Sequence, residues 1–173
     1  MGYTPPIVGQ TFTLNQKIEG PASISNKFGE QDHGTVLIGH VRHSFLPWYE
    51  GLISTIKTND LPVLSGPFTG CLFCISGDKA YHVHTQKIEV GRISMSKSSC
   101  RLPEWKAANI KDRDNQWKPL DFIPNKKVDE DAFAVMFVDG NITRRYAIKA
   151  KKLVKGQNTI TYKIEYVKSV NGG

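Results

Sequence analysis

Ala132-Phe133-Ala134-Val135-Met136-Phe137-Val138-Asp139-Gly140-Asn141-Ile142 is the stretch on which the reading of the fold turns. An uninterrupted apolar run suits a strand covered on both faces. Asp139-Gly140-Asn141 is the chemistry of a tight hairpin turn, where positive φ is needed. Downstream, Ile142 to Val154 continues as a strand, Lys155-Gly156-Gln157-Asn158 turns the chain, and Thr159 to Val170 follows. In that last segment Ile160, Tyr162, Ile164 and Tyr166 alternate with Thr161, Lys163, Glu165 and Lys168, the period of a half-buried strand. Three consecutive antiparallel strands therefore close the last third.

Upstream, Gln10 to Ile18 alternates and predicts a first strand, with Phe12 and Leu14 set against Thr11 and Thr13 until Gly20-Pro21 ends it. Thr35 to His43 predicts a second strand around Val36, Leu37, Ile38 and Val41. Trp48 to Lys57 predicts a short helix from the spacing of Trp48, Leu52, Ile53 and Ile56, although Gly51 costs it about 1 kcal/mol relative to alanine. Leu72 to Ile75 and Ala80 to His84 add strands, and Lys87 to Met95 predicts one more through Ile88, Val90 and Ile93. Pro103 to Pro119 predicts an irregular excursion or short helix over one end of the sheet. The expected fold class is α+β, a mixed β-sandwich or twisted, mostly antiparallel sheet flanked by one or two short helices.

At 173 residues the chain is long enough for a substantial core, and without repeats or a low-complexity linker it reads as one domain, 1–173. Hydrophobic residues at 39% and charged residues at 23% exclude a disordered chain. No segment approaches the roughly 18 apolar residues that span a bilayer, and Met1 to Gly20 lacks the pattern of a signal peptide. The expectation is a soluble protein made in the cytoplasm, with secretion or injection into a host or competitor cell left to a route the sequence does not display. A monomer without a cofactor is expected.

The net charge of +7 gathers late, at Arg144, Arg145, Lys149, Lys151, Lys152, Lys155, Lys163 and Lys168. Partial alternation with apolar residues makes this a solvated sheet face, and no nucleic-acid motif accompanies it, so a nucleic-acid partner is not expected. The three cysteines are an odd set, better explained by a reduced compartment or a functional thiol than by a disulfide framework. Cys100 has no assigned role beyond packing.

Chemistry concentrates in Ser65 to Thr85, where Leu72 to Ile75 and Ala80 to His84 flank Gly77-Asp78 as a tight hairpin. With Gly77 and Asp78 as the two loop residues, Cys71 lies opposite His84 and Phe73 opposite His82, and Cys74 faces away; a slip of one residue exchanges Cys71 for Cys74. An imidazole beside a thiol draws it toward the reactive thiolate, and a third polar group usually orients the imidazole. Gly70 before Cys71 lets a substrate carbonyl approach the backbone closely, so that nearby N–H groups can hold an oxyanion. A buried free cysteine also has a plain packing reading as a small hydrophobe. His40 and His43, three residues apart, face opposite ways on a regular strand, so at most one points toward such a site.

Phe68-Thr69-Gly70-Cys71, followed by Tyr81-His82-Val83, resembles the Leu-Ser-Gly-Cys motif and the aromatic-His-aliphatic element of the glutamine deamidase toxins, which include the cytotoxic necrotizing factor catalytic domain and the Burkholderia lethal factor. Leu46-Pro47-Trp48 and Gly51 resemble an upstream Leu-Pro-Trp-x-x-Gly stretch of the lethal factor. The resemblance spans about residues 45 to 85 and departs from the motif at Phe68 and Thr69. It implies Cys71 as nucleophile, His82 as base, and Ser65, where the lethal factor has an active-site threonine, orienting His82 through its hydroxyl or carbonyl. Backbone groups around Gly70 and Leu72 would hold the oxyanion. The implied activity is protein-glutamine deamidation by a toxin or effector, its partner a protein that presents a glutamine side chain.

Two other readings stand beside this one. Cys71, Cys74, His82 and His84 are zinc-ligand types, although two cysteines three apart on a strand face opposite ways. A non-catalytic β-rich interaction protein would instead use the basic face.

Overall fold

The computed structural model describes residues 3–15, 28–30, 35–47, 53–58, 60–68, 71–76, 79–83, 88–90, 93–95, 117–156 and 159–170. Their strands are β1 (Thr11–Asn15), β2 (Phe28–Glu30), β3 (Thr35–Ile38), β4 (Val41–Pro47), β5 (Ile53–Lys57), β6 (Val63–Phe68) and β7 (Leu72–Ser76). The series continues with β8 (Lys79–Val83), β9 (Ile88–Val90), β10 (Ile93–Met95), β11 (Glu130–Asp139), β12 (Ile142–Lys155) and β13 (Thr159–Ser169). Among the described residues the helical content is one 3-10 turn, Pro119–Phe122.

The three-stranded meander forms as expected, Asp139 pairing with Ile142 around a turn in which Gly140 has φ 62°. Its register seeds a seven-stranded sheet in the order β1-β13-β12-β11-β6-β4-β3, antiparallel except where β4 runs parallel to β6. The end strands β1 and β3 lie against each other, so the sheet curls into a nearly closed barrel. All seven strands fill its interior, with Phe12, Ile38, Phe45, Leu64, Phe133 and Tyr162 among the buried side chains.

A second sheet, β2-β5-β8-β7, packs on the outside of the barrel wall. Ile56, Phe73, Ile75 and Ala80 from this sheet share one apolar layer with Leu46, Val63, Phe68, Ala132, Ala134, Met136 and Ala147 from the wall. The alanines carry little volume, which lets the two sheets approach closely. Strands β9 and β10 form a separate hairpin.

The fold is therefore nearly all β, not α+β. The helix expected over Trp48 to Lys57 is replaced at Ile53–Lys57 by a strand paired with both β2 and β8; Trp48 and Gly51 lie outside the described residues. Ile53, Thr55 and Ile56 are β-branched, and pairing on both sides overrides a weak helical period. Thr35 to His43 is likewise not one strand, because Gly39-His40 turns the chain and Ile38 pairs with Val41. Ile88 to Met95 divides in the same way into β9 and β10. Most of the excursion at Pro103 to Pro119 lies outside the described residues, as does Cys100.

Candidate functional site between the two sheets

Strands β7 and β8 pair Ser76 with Lys79, Cys74 with Tyr81, Phe73 with His82 and Leu72 with Val83. This is the register in which two residues form the loop, so His82 shares a face with Phe73 and Ile75 while Cys74 points away. Cys71 just precedes β7 and joins the same inter-sheet layer as Phe73. The nucleophile and base candidates therefore lie on the inner side of the second sheet. Both are buried, at 1% exposure each.

Ser65 reaches this layer from the barrel wall. Its Oγ donates to the Leu46 carbonyl at 2.7 Å and lies 2.7 Å from His82 Nδ1, with Ser65 itself fully buried. A serine hydroxyl has one proton, and a carbonyl can only accept. Once that proton is committed to Leu46, Nδ1 must donate to Oγ, and neutral His82 carries its lone pair on Nε2. The chain from the Leu46 carbonyl through Ser65 to His82 thus sets the tautomer that a general base needs. Leu46 and Ser65 are register partners across the parallel pair β4 and β6, which explains why this carbonyl is at hand.

The Phe68 ring stacks on the imidazole, with centroids 4.2 Å apart and planes 6° from parallel. Ser65 and Phe68 are three apart and would face opposite ways on a regular strand. They do not, because β6 carries a bulge: Ser65 pairs with Ala134 and Phe68 with Ala132, so three steps on one strand match two on the other. The extra residue falls at Gly66-Pro67, where the peptide bond is cis and Gly66 has φ 150°. A Cβ at Gly66 would come within 2.3 Å of the Phe133 ring and 2.9 Å of the Ala132 carbonyl oxygen, so only glycine fits. Sequence reasoning missed the role of Phe68; glycine followed by proline inside a strand was the available signal of a bulge.

On its other edge Phe73 exchanges backbone hydrogen bonds with Trp117, donating at 2.8 Å and accepting at 3.0 Å. Ladder alternation then directs the N–H and C=O of Leu72 and Cys74 toward β8. Leu72 thus spends its N–H on the ladder. Gly70 and Thr69 lie outside the described residues. The Trp117 indole donates to Met136 Sδ at 3.3 Å and ties this edge to β11.

Of the other histidines, His40 is exposed, His84 lies outside the described residues, and His43 is buried on the barrel side of β4. His43 Nδ1 donates to the Val41 carbonyl at 3.0 Å, and the Tyr3 hydroxyl donates to Nε2 at 3.0 Å. Burial, opposed by backbone hydrogen bonds, lowers its pKa to about 4, and burial pushes the Tyr3 phenol well above its usual range. Neither His40 nor His43 joins Ser65 and His82.

For the zinc reading, Cys74 faces away from His82, and the described residues hold no cluster of three or more potential metal ligands. For the basic-face reading, Arg144 pairs with Asp139 at 3.2 Å, Lys149 with Glu130 at 3.6 Å, Lys151 with Asp129 at 3.7 Å and Lys152 with Asp131 at 3.5 Å. These four cations are balanced locally. No helix among the described residues is long and apolar enough to cross a membrane.

No family model, curated protein or solved structure matches this chain.

Proposed function

We propose that the chain is a cysteine-dependent protein-glutamine deamidase acting as a toxin or effector, with Cys71 as nucleophile, His82 as general base and acid, and Ser65 as the residue that orients His82. The observation that carries this reading is the Leu46 carbonyl–Ser65–His82 chain, with 2.7 Å at each link, on the side of the second sheet that also holds Cys71. Placing the proton on Nδ1 gives Nε2 the lone pair that a general base uses. The resemblance of residues 45 to 85 to the deamidase toxins supplies the substrate class.

In the reaction, His82 Nε2 takes the Cys71 thiol proton and the thiolate forms a C–S bond to the glutamine side-chain carbonyl. Backbone N–H groups beside Cys71 hold the oxyanion. Collapse breaks the C–N bond as His82 returns the proton to the leaving nitrogen, and ammonia departs. Water then attacks the thioester, His82 taking its proton, and the C–S bond breaks to release glutamate and the thiolate. Because Cys71 is 1% exposed, turnover and alkylation alike require a local opening that uncovers this sulfur.

The test incubates candidate target proteins with the wild type and with Cys71→Ser, then follows ammonia and the mass change of each glutamine peptide. Wild type is expected to convert a glutamine to glutamate and Cys71→Ser to leave it unchanged. An active Cys71→Ser protein would exclude the mechanism.

A further inference from the structure

We infer that Phe68 is a positioning residue for His82, fixing the plane of the ring and stabilising its protonated form. The inference rests on the Cys71–His82 reading and goes beyond it. A hydrogen bond from Nδ1 to Ser65 anchors one atom of the imidazole but leaves the ring free to swing about that bond. A parallel phenyl face at 4.2 Å removes this freedom, so the direction of Nε2 is set by two contacts and not one.

Both contacts come from β6, and only because the bulge at Gly66-Pro67 brings Ser65 and Phe68 to the same face. Phe68 is fully buried and also touches Phe73, with centroids 5.6 Å apart, so its own ring is held in turn.

The electrostatics follow from the aromatic quadrupole. A cation over the face of a phenyl ring within about 6 Å is attracted to it, the more strongly the less water surrounds the pair. When His82 takes the Cys71 proton it becomes such a cation, in a dry layer where the attraction is least screened. Phe68 therefore favours the thiolate–imidazolium pair over the neutral pair.

The test measures the rate of iodoacetamide labelling at Cys71 against pH, with the site located by peptide mass spectrometry, for wild type, Phe68→Leu, Phe68→Tyr and both substitutions in a His82→Gln background. Phe68→Leu is expected to label about tenfold more slowly at pH 6, its midpoint moved up by about one pH unit. Phe68→Tyr is expected to keep the wild-type profile, and neither change to matter in His82→Gln. A wild-type profile with no depressed midpoint overturns the dyad on which the inference rests. A depressed wild-type profile on which Phe68→Leu superimposes overturns the role of Phe68 alone. An equal effect of Phe68→Leu in His82→Gln also overturns it, since the ring would then be acting only through packing. If Phe68→Leu does not fold, the wild-type His82 ring protons decide. Upfield ring-current shifts that persist as the imidazole titrates support the stack, and ordinary positions overturn it.

Discussion

His43 and His82 are both withdrawn from water, yet they lie on opposite sides of the same barrel wall and are held in different ways. His43, on the barrel side, has both nitrogens closed by partners that belong to the fold, the Val41 carbonyl and the Tyr3 hydroxyl. The Tyr3 ring is itself packed 4.7 Å from Phe137, so an N-terminal segment serves to cap this histidine. His82, between the sheets, is held at Nδ1 by a hydroxyl relay and on its face by Phe68, an arrangement that selects a tautomer and an orientation. Burial alone does not distinguish a structural histidine from a working one. The partners separate the two: a carbonyl and a phenol close both nitrogens of His43, whereas the Ser65 relay fixes His82 Nδ1 as a donor, the tautomer that the proposed general-base role requires.

The change that should break the comparison most severely is Gly66→Ala. The new Cβ meets Phe133 inside the barrel while the lost bulge misdirects Phe68 on the outside, so both sides of the wall suffer. A loss of about 3 kcal/mol or more is expected in denaturant unfolding.

Acidification should act next, through His43 on the barrel side. His43 titrates near 4 in the folded protein against an ordinary value of 6.5, so between those pH values the unfolded chain binds more protons. Stability is then full above about pH 6.5, falls through the window and levels off below about pH 4, by about 3 kcal/mol in all. Denaturation midpoints measured from pH 7 to pH 4 check this, and His43→Leu should remove that part of the slope.

Ser65→Ala sharpens the comparison from the other side. It strips a partner from both the Leu46 carbonyl and His82 Nδ1, which should cost roughly 1–3 kcal/mol of stability. Because the tautomer is no longer selected, it should also slow Cys71 labelling below pH 7. A stability loss with unchanged labelling would make Ser65 a packing residue.

The legible parts of the fold were those written in local turn chemistry. Asp139-Gly140-Asn141 and the alternation after Thr159 gave the meander, and Gly77-Asp78 gave the register that brings Phe73 opposite His82. Misreadings arose where a local signal served two structures. Ile53 and Ile56 fit a helical stripe as well as a β-branched strand, and a lone glycine at 39 did not announce a hairpin. The barrel was not legible, since its closure depends on β1 pairing with β13 from the far end of the chain. Within the site, the shared face of Cys71 and His82 followed from strand parity, whereas Ser65 was pointed to by resemblance only. Phe68 stayed hidden because its orientation depends on a bulge that shifts parity by one residue.

The central claim is that Cys71 is chemically coupled to His82, and its most direct measurement is thiol labelling against pH in folded wild type, folded His82→Ala and the denatured chain, with Cys74 as the internal control. In the folded wild type, the pH midpoint of Cys71 labelling should lie below that of the denatured chain, His82→Ala should raise it to the denatured value, and Cys74 should stay silent. A Cys71 as silent as Cys74 until the protein unfolds would contradict it.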